Sequence, residues 1–254
     1  MRPIHQLPGT RSDPMVVGGH ARGLPARGLR MPAAFLAAGA VLVSCSPGGS
    51  GPSETQLPSG SPAGRPPEAV LLSGDSITEG WHATTEELSF RGLVEEWLTE
   101  GGTGSVTGTF HAGFTVQEVA DGFEVPRGVD LAVVELGTND IGRNNPVGNF
   151  GIQYATYLDD LEEASPGVQL VCLGVWYPAS DQTTGFDDAI ERECTSRGGV
   201  FQPLSGLFGE TGLRGPEGNP TWLGISDAFH PNDAGHERIA ELVKERISAL
   251  ESAS

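Results

Sequence analysis

Apolar positions in the latter three-quarters of the chain alternate between short unbroken runs and stripes at helical spacing. Ala69-Val70-Leu71-Leu72 is one such run, ending in Gly74-Asp75-Ser76. Phe90, Leu93, Val94, Trp97 and Leu98 then fall on one face of a helix. Residues 104–111 read as a second strand. Residues 129–136 (VDLAVVEL) and 168–176 (VQLVCLGVW) are nearly continuous apolar runs, the pattern of strands covered on both faces. Between them Tyr154, Leu158 and Leu161 mark another helix. Residues 186–197 read as helix and 200–204 as strand. A last helix starts near Pro231 and carries Ile239, Val243, Ile247 and Leu250 on one face. This alternation predicts an α/β fold, a central parallel sheet with helices on both sides in three layers.

In such a sheet the ligand site lies outside the carboxyl ends of the strands, so chemically active residues should follow strands. Ser76 follows the first strand, Gly113 the second and Gly137-Thr138-Asn139-Asp140 the third. Asp227 and His230 occupy the long loop before the last helix. Four separate segments thus come to one sheet edge. A serine hydroxyl becomes a nucleophile when a base removes its proton, and a third group should orient that base. A carboxylate three residues before an imidazole can hold one ring nitrogen while the other faces the serine. Attack on an ester carbonyl creates an oxyanion, for which the Ser76 and Gly113 N–H groups and the Asn139 amide are the candidate donors. Each pattern alone also reads as a polar turn or a helix cap. Their joint occurrence at strand ends favours the catalytic reading.

These four blocks resemble those of the SGNH/GDSL hydrolases. They are Gly74-Asp75-Ser76-Ile77-Thr78-Glu79-Gly80, the glycine of His111-Ala112-Gly113-Phe114-Thr115, Gly137-Thr138-Asn139-Asp140 and Asp227-Ala228-Phe229-His230-Pro231. They come in the family's order, and the resemblance covers about residues 69–250. It implies a flavodoxin-like fold and Ser76 as nucleophile. It also implies an oxyanion hole of Ser76, Gly113 and Asn139, with the Asp227–His230 pair as base and no cofactor. Ile77 in the first block is common in secreted carbohydrate deacetylases and lysophospholipase-like esterases of the family. The second block departs from the pattern, with His111 and Ala112 where an asparagine and a first glycine often stand. The Gly-x-Ser-x-Gly elbow of α/β-hydrolase lipases is missing. There is no CxxC, no helical His pair flanking Glu and no Asp-rich calcium loop, so no metal is expected.

The front of the chain reads differently. Residues 1–30 hold five arginines and one acid, and twelve small or apolar residues, 32–43, follow. That is the layout of an export signal. Leu42-Val43-Ser44-Cys45 resembles a bacterial lipobox, which implies cleavage before Cys45 and a lipid on its sulfur. Translation starting at Met15 or Met31 would shorten the basic region; a short buried helix with a chance cysteine is the alternative. Residues 45–68 are Ser-, Gly- and Pro-rich with almost no apolar content, and read as a flexible tether. The catalytic domain is then 69–254. Cys172 and Cys194 remain: an even pair in an exported domain suits a disulfide, two buried thiols being the alternative.

Charge narrows the partners. The chain carries 15 Lys+Arg against 33 Asp+Glu, a net −18. Without residues 1–44 it keeps 10 basic and 32 acidic residues, a net −22. Such a surface repels polyanions, which excludes a general nucleic-acid binder. The one lysine, Lys244, follows no Gly-rich run, so a P-loop is absent. No apolar stretch reaches the roughly 18–20 residues that span a bilayer. The expectation is a monomeric, lipid-anchored, exported serine esterase acting on small acyl esters or on O-acetyl groups of a carbohydrate. A lysophospholipase at the membrane surface is the second enzymatic reading, and a ligand-binding lipoprotein without catalysis the third.

Glu135, in a buried strand, is expected to pair with a donor, and Asp75 and Asp140 to support the site through hydrogen bonds. His82, His111 and His236 read as structural or surface residues. Trp81, Trp176, Tyr177 and Trp222 could line a substrate pocket or pack the core.

Overall fold

The computed structural model describes residues 66–253. The expected export signal, Cys45 and most of the expected tether lie outside the described residues. The chain is already fastened just before the first strand: the Glu68 N–H bonds Asp130 Oδ2 (2.8 Å), and the Glu68 carbonyl accepts the Ser105 N–H.

Five strands form one parallel sheet: β1 (Ala69–Gly74), β2 (Ser105–Phe110), β3 (Leu131–Glu135), β4 (Gln169–Leu173) and β5 (Val200–Gln202). Their order is β2-β1-β3-β4-β5, the flavodoxin-like arrangement, with its switch point between β1 and β3. Period-2 alternation sorts the strand residues into two cores. Leu131 and Val133 of β3 join Val70 and Leu72 on the face covered by α2 (Phe90–Glu100) and α8 (Asp233–Ala253). Ala132 and Val134 join Leu71, Leu170 and Cys172 on the opposite face, under α5 (Val147–Ala164) and α6 (Asp181–Ser196). Burying both faces explains why these strands read as continuous apolar runs.

Several boundaries differ from those expected. The apolar run 168–176 leaves the sheet after Leu173. Its last two N–H groups turn away, Val175 to Asp187 Oδ1 and Trp176 to Thr138 Oγ1. β5 ends at Gln202 rather than 204. Helix α6 starts at Asp181, five residues before the expected start, because Ser180 caps it by accepting the Thr183 N–H. Pro231 precedes α8, bridging to Arg214, and the helix begins at Asp233. Four short helices were not expected: α1 (Ser76–Glu79), α3 (Val116–Gly122), α4 (Thr138–Gly142) and α7 (Ser205–Gly209). Each is too short for apolar periodicity to show. A two-stranded hairpin, β6 (Pro220–Thr221) and β7 (Gly224–Ile225), is likewise too short to show in the apolar pattern.

Cys172 and Cys194 form a disulfide joining β4 to α6. Closing a span of 22 residues contributes about 3 kcal/mol by limiting the unfolded chain.

His236 of α8 is fully buried, against the surface alternative. Its Nδ1 accepts the Phe90 N–H (3.2 Å) and its Nε2 donates to the Trp81 carbonyl (3.0 Å), so the neutral ring satisfies both contacts. Burial pushes its pKa down to about 4. The unfolded imidazole, near 6.5, takes up a proton first as pH falls, so the contribution is complete above 6.5 and lost on acidification towards 4. His236→Gln should therefore be much less stable than the parent at pH 7.5. That gap should narrow by about 3 kcal/mol at pH 4. Urea unfolding of both proteins at the two pH values checks this; a constant gap would contradict it.

Candidate active site

The corner that carries Ser76 is built by close packing. A Cβ at Gly74 would lie 2.0 Å from Thr78 Oγ1 and 2.6 Å from the Glu135 carbonyl, so only glycine fits where β1 turns beside β3. Asp75 caps α1 by accepting the Ile77 N–H on Oδ1 (3.0 Å), and Ser76 is the first helical residue. The Ser76 N–H therefore has no partner within its own helix.

Opposite it, the loop between the hairpin and α8 folds around a carboxylate. Asp227 Oδ1 accepts the N–H groups of Phe229 and His230, both at 2.8 Å. Trp176 Nε1 holds the Phe229 carbonyl (2.8 Å) and Arg214 the Ala228 carbonyl (2.8 Å). Trp176 is thus a core residue that also fixes this loop, and Trp81 lies beside the His230 ring (centroids 5.6 Å apart). His230 Nδ1 donates to Asp227 Oδ2 at 2.9 Å, and its Nε2 lies 3.0 Å from Ser76 Oγ. The three side chains form one unbroken hydrogen-bonded chain across 154 residues of sequence. Burial would raise the Asp227 carboxyl, but the backbone and imidazole N–H groups of His230 and the Phe229 N–H outweigh it and hold the carboxyl below its usual range.

Asn139 stands on α4, just past the end of β3. Its Nδ2 donates to Asp75 Oδ2 (2.9 Å) and to the Phe114 carbonyl (3.0 Å). The amide thus lies between the residue before Ser76 and the residue after Gly113, which brings the three expected oxyanion donors to one place. Gly113 adopts φ +81°, a left-handed conformation, and its N–H has no hydrogen-bond partner among the described residues. Its carbonyl is held by Arg143 Nη2 (2.5 Å), while Arg143 Nη1 pairs with Glu118 (2.7 Å), part of the Thr115 capping box of α3.

Two neighbours of the site were not legible in the sequence. Arg143 follows Asn139 by one helical turn, and that spacing was the available signal. His82, read as structural or surface, approaches Asp227 across 145 residues. It is buried, its ring lies 4.6 Å from that of His230, and its Nδ1 accepts the Asp227 N–H (3.1 Å). Burial and the adjacent His230 push its pKa down, so it stays neutral. His82, Asp227 and His230 are also the one group of potential metal ligands among the described residues. His82 Nδ1, both Asp227 oxygens and both His230 nitrogens are already engaged by the hydrogen bonds just described.

Residues 72–238 match the GDSL-like lipase/acylhydrolase family model. The chain belongs to the GDSL-like lipase/acylhydrolase family. Membership makes it an ester-bond hydrolase. Solved structures of similar fold include TesA (19% identity, TM-score 0.59, spanning 72% of this chain and 99% of that one). Others are the esterase EstA from Pseudoalteromonas sp. (14%, 0.56, 72% and 98%) and a Clostridium thermocellum family 3 carbohydrate esterase (18%, 0.57, 73% and 97%). At such identities these likenesses establish the fold of this GDSL-family chain. Among curated proteins no sequence match was found.

Proposed function

We propose that this GDSL-family hydrolase is an exported, lipid-anchored monomeric serine esterase that removes short acyl groups, with O-acetyl groups on a neutral carbohydrate as its substrate class. The Ser76–His230–Asp227 hydrogen-bonded chain carries the reading. Ser76 Oγ attacks the ester carbonyl as His230 Nε2 takes its proton; Asp227 holds the ring in the tautomer that can accept it. The tetrahedral oxygen gathers negative charge beside the N–H groups of Ser76 and Gly113 and the amide of Asn139. Both Asn139 N–H groups are engaged within the protein, so the growing oxyanion must draw one away from the Phe114 carbonyl. His230 then protonates the departing alcohol, and the acyl group stays on Ser76. Water attacks next, giving its proton to His230, which returns it to Ser76 Oγ as the acyl–serine bond breaks and the acid leaves.

The anchor rests on Cys45 and the lipobox-like residues before it. The net −22 of the processed chain disfavours anionic polymers. Carbohydrate and acetyl esterases among the proteins of similar fold support the acetyl reading. Rates on nitrophenyl esters from acetate to palmitate, beside acetylated xylan, test it. Acetate should be the best nitrophenyl ester, with acetate released from the xylan. A preference for the long chains would instead make it a lipid esterase.

A further inference from the structure

Behind the nucleophile lie two carboxyl groups with no cation to neutralise them. Asp75 and Glu135 are both fully buried, and neither is in an ion pair with Lys, Arg or His among the described residues. Two adjacent anions in such a place are prohibitively costly, so the pair must share a proton. The hydrogen bonds say which member carries it. Asp75 accepts at both oxygens from groups that can only donate, the Ile77 N–H and Asn139 Nδ2, whereas the groups on the two Glu135 oxygens are the hydroxyls of Thr78 and Thr138, which can also accept. Glu135 hydrogen-bonds the Asp75 side chain as well, and a bond between two carboxyl groups needs one proton, which Glu135 supplies. Burial and the Asp75 charge both push the Glu135 pKa well up.

Glu135 also reaches both corners that form the site. It accepts from Thr78 Oγ1 (3.1 Å) on the Ser76 side and from Thr138 Oγ1 (3.5 Å), next to Asn139, on the other. Thr138 Oγ1 in turn accepts the Trp176 N–H, and Trp176 holds the His230 loop. One side chain therefore links the Ser76, Asn139 and His230 segments, the last through Thr138 and Trp176.

We propose that Glu135 is a positioning residue of the esterase site, held as the uncharged acid, whose proton bonds Asp75 so that Asp75 keeps the Asn139 amide at the oxyanion position. This rests on the oxyanion role of Asn139 given above. Glutamine at 135 can still donate to Asp75 and accept from Thr78, and it cannot ionise. Methionine fills similar space and does neither.

The test is kcat and KM on nitrophenyl acetate for Glu135→Gln, Glu135→Met, Asn139→Ala and the double variant Glu135→Met/Asn139→Ala, with near-ultraviolet circular dichroism as the check on folding. Glu135→Gln should keep kcat within about threefold of the parent. Glu135→Met should lose kcat by ~10–100-fold at unchanged KM, and Asn139→Ala by ~10²–10³-fold. Because Glu135 acts through Asn139, the double variant should be no slower than Asn139→Ala alone. Multiplying losses in the double variant, a folded Glu135→Gln as slow as Glu135→Met, or a Glu135→Met at full kcat would each overturn the proposal. If Glu135→Met does not fold, Glu135→Gln decides alone: a folded protein with kcat lost refutes the uncharged acid. Full activity in Asn139→Ala would instead overturn the oxyanion reading and, with it, this inference.

Discussion

Ser76→Ala should lose ester hydrolysis by ~10⁴–10⁶-fold in kcat and keep the parent's melting temperature. The hydroxyl touches one partner, His230 Nε2, and contributes nothing to either core cluster. Removing it leaves an imidazole lone pair with no proton to take, and no atom left to carry the acyl group. The expected outcome separates chemistry from fold. A serine-directed organophosphate should add its mass to the parent on Ser76 and leave the variant unlabelled. Turnover that survives in a folded Ser76→Ala protein would remove the acyl-serine mechanism.

His230→Ala should fall nearly as far, by ~10⁴–10⁶-fold, and Asp227→Asn by ~10²–10⁴-fold. The difference follows from what Asp227 does. Its Oδ1 ties the loop through two backbone N–H groups, and an asparagine oxygen can keep both bonds. At the other atom an amide N–H would replace the acceptor facing His230 Nδ1, favouring the tautomer whose Nε2 already carries a proton. The base is then present but mostly in the wrong form. The loop itself stays pinned by Trp176 and Arg214. Single-turnover rates at saturating ester measure both; an Asp227→Asn protein as slow as His230→Ala would contradict this division of labour.

Much of this arrangement could be read before any coordinates were known. Apolar runs that ended in Gly74-Asp75-Ser76 and Gly137-Thr138-Asn139-Asp140 located both the strands and the residues beyond them, because strand ends in a parallel sheet face one edge. Periodicity failed where a helix lasts a turn or two, as in α1 and α4, which a capping residue and a tight glycine turn define instead. It failed too at Val175–Trp176, where apolar residues leave the sheet and their N–H groups find side-chain acceptors. His82 and the proton held between Asp75 and Glu135 were hidden for another reason. Each depends on contacts between segments tens of residues apart, and no local pattern encodes which buried acid keeps its hydrogen. The cysteine pair was visible but undecided, since bonded and free thiols look alike in sequence.

The bond between Cys172 and Cys194 lies wholly within the β4–α6 half of the molecule, and none of the residues that would handle an ester belongs to it. Oxidation therefore governs durability and leaves the chemistry alone. A reduced molecule would work at its normal pace in the cold and succumb sooner to heat, so its useful lifetime is set by the redox conditions it meets after synthesis.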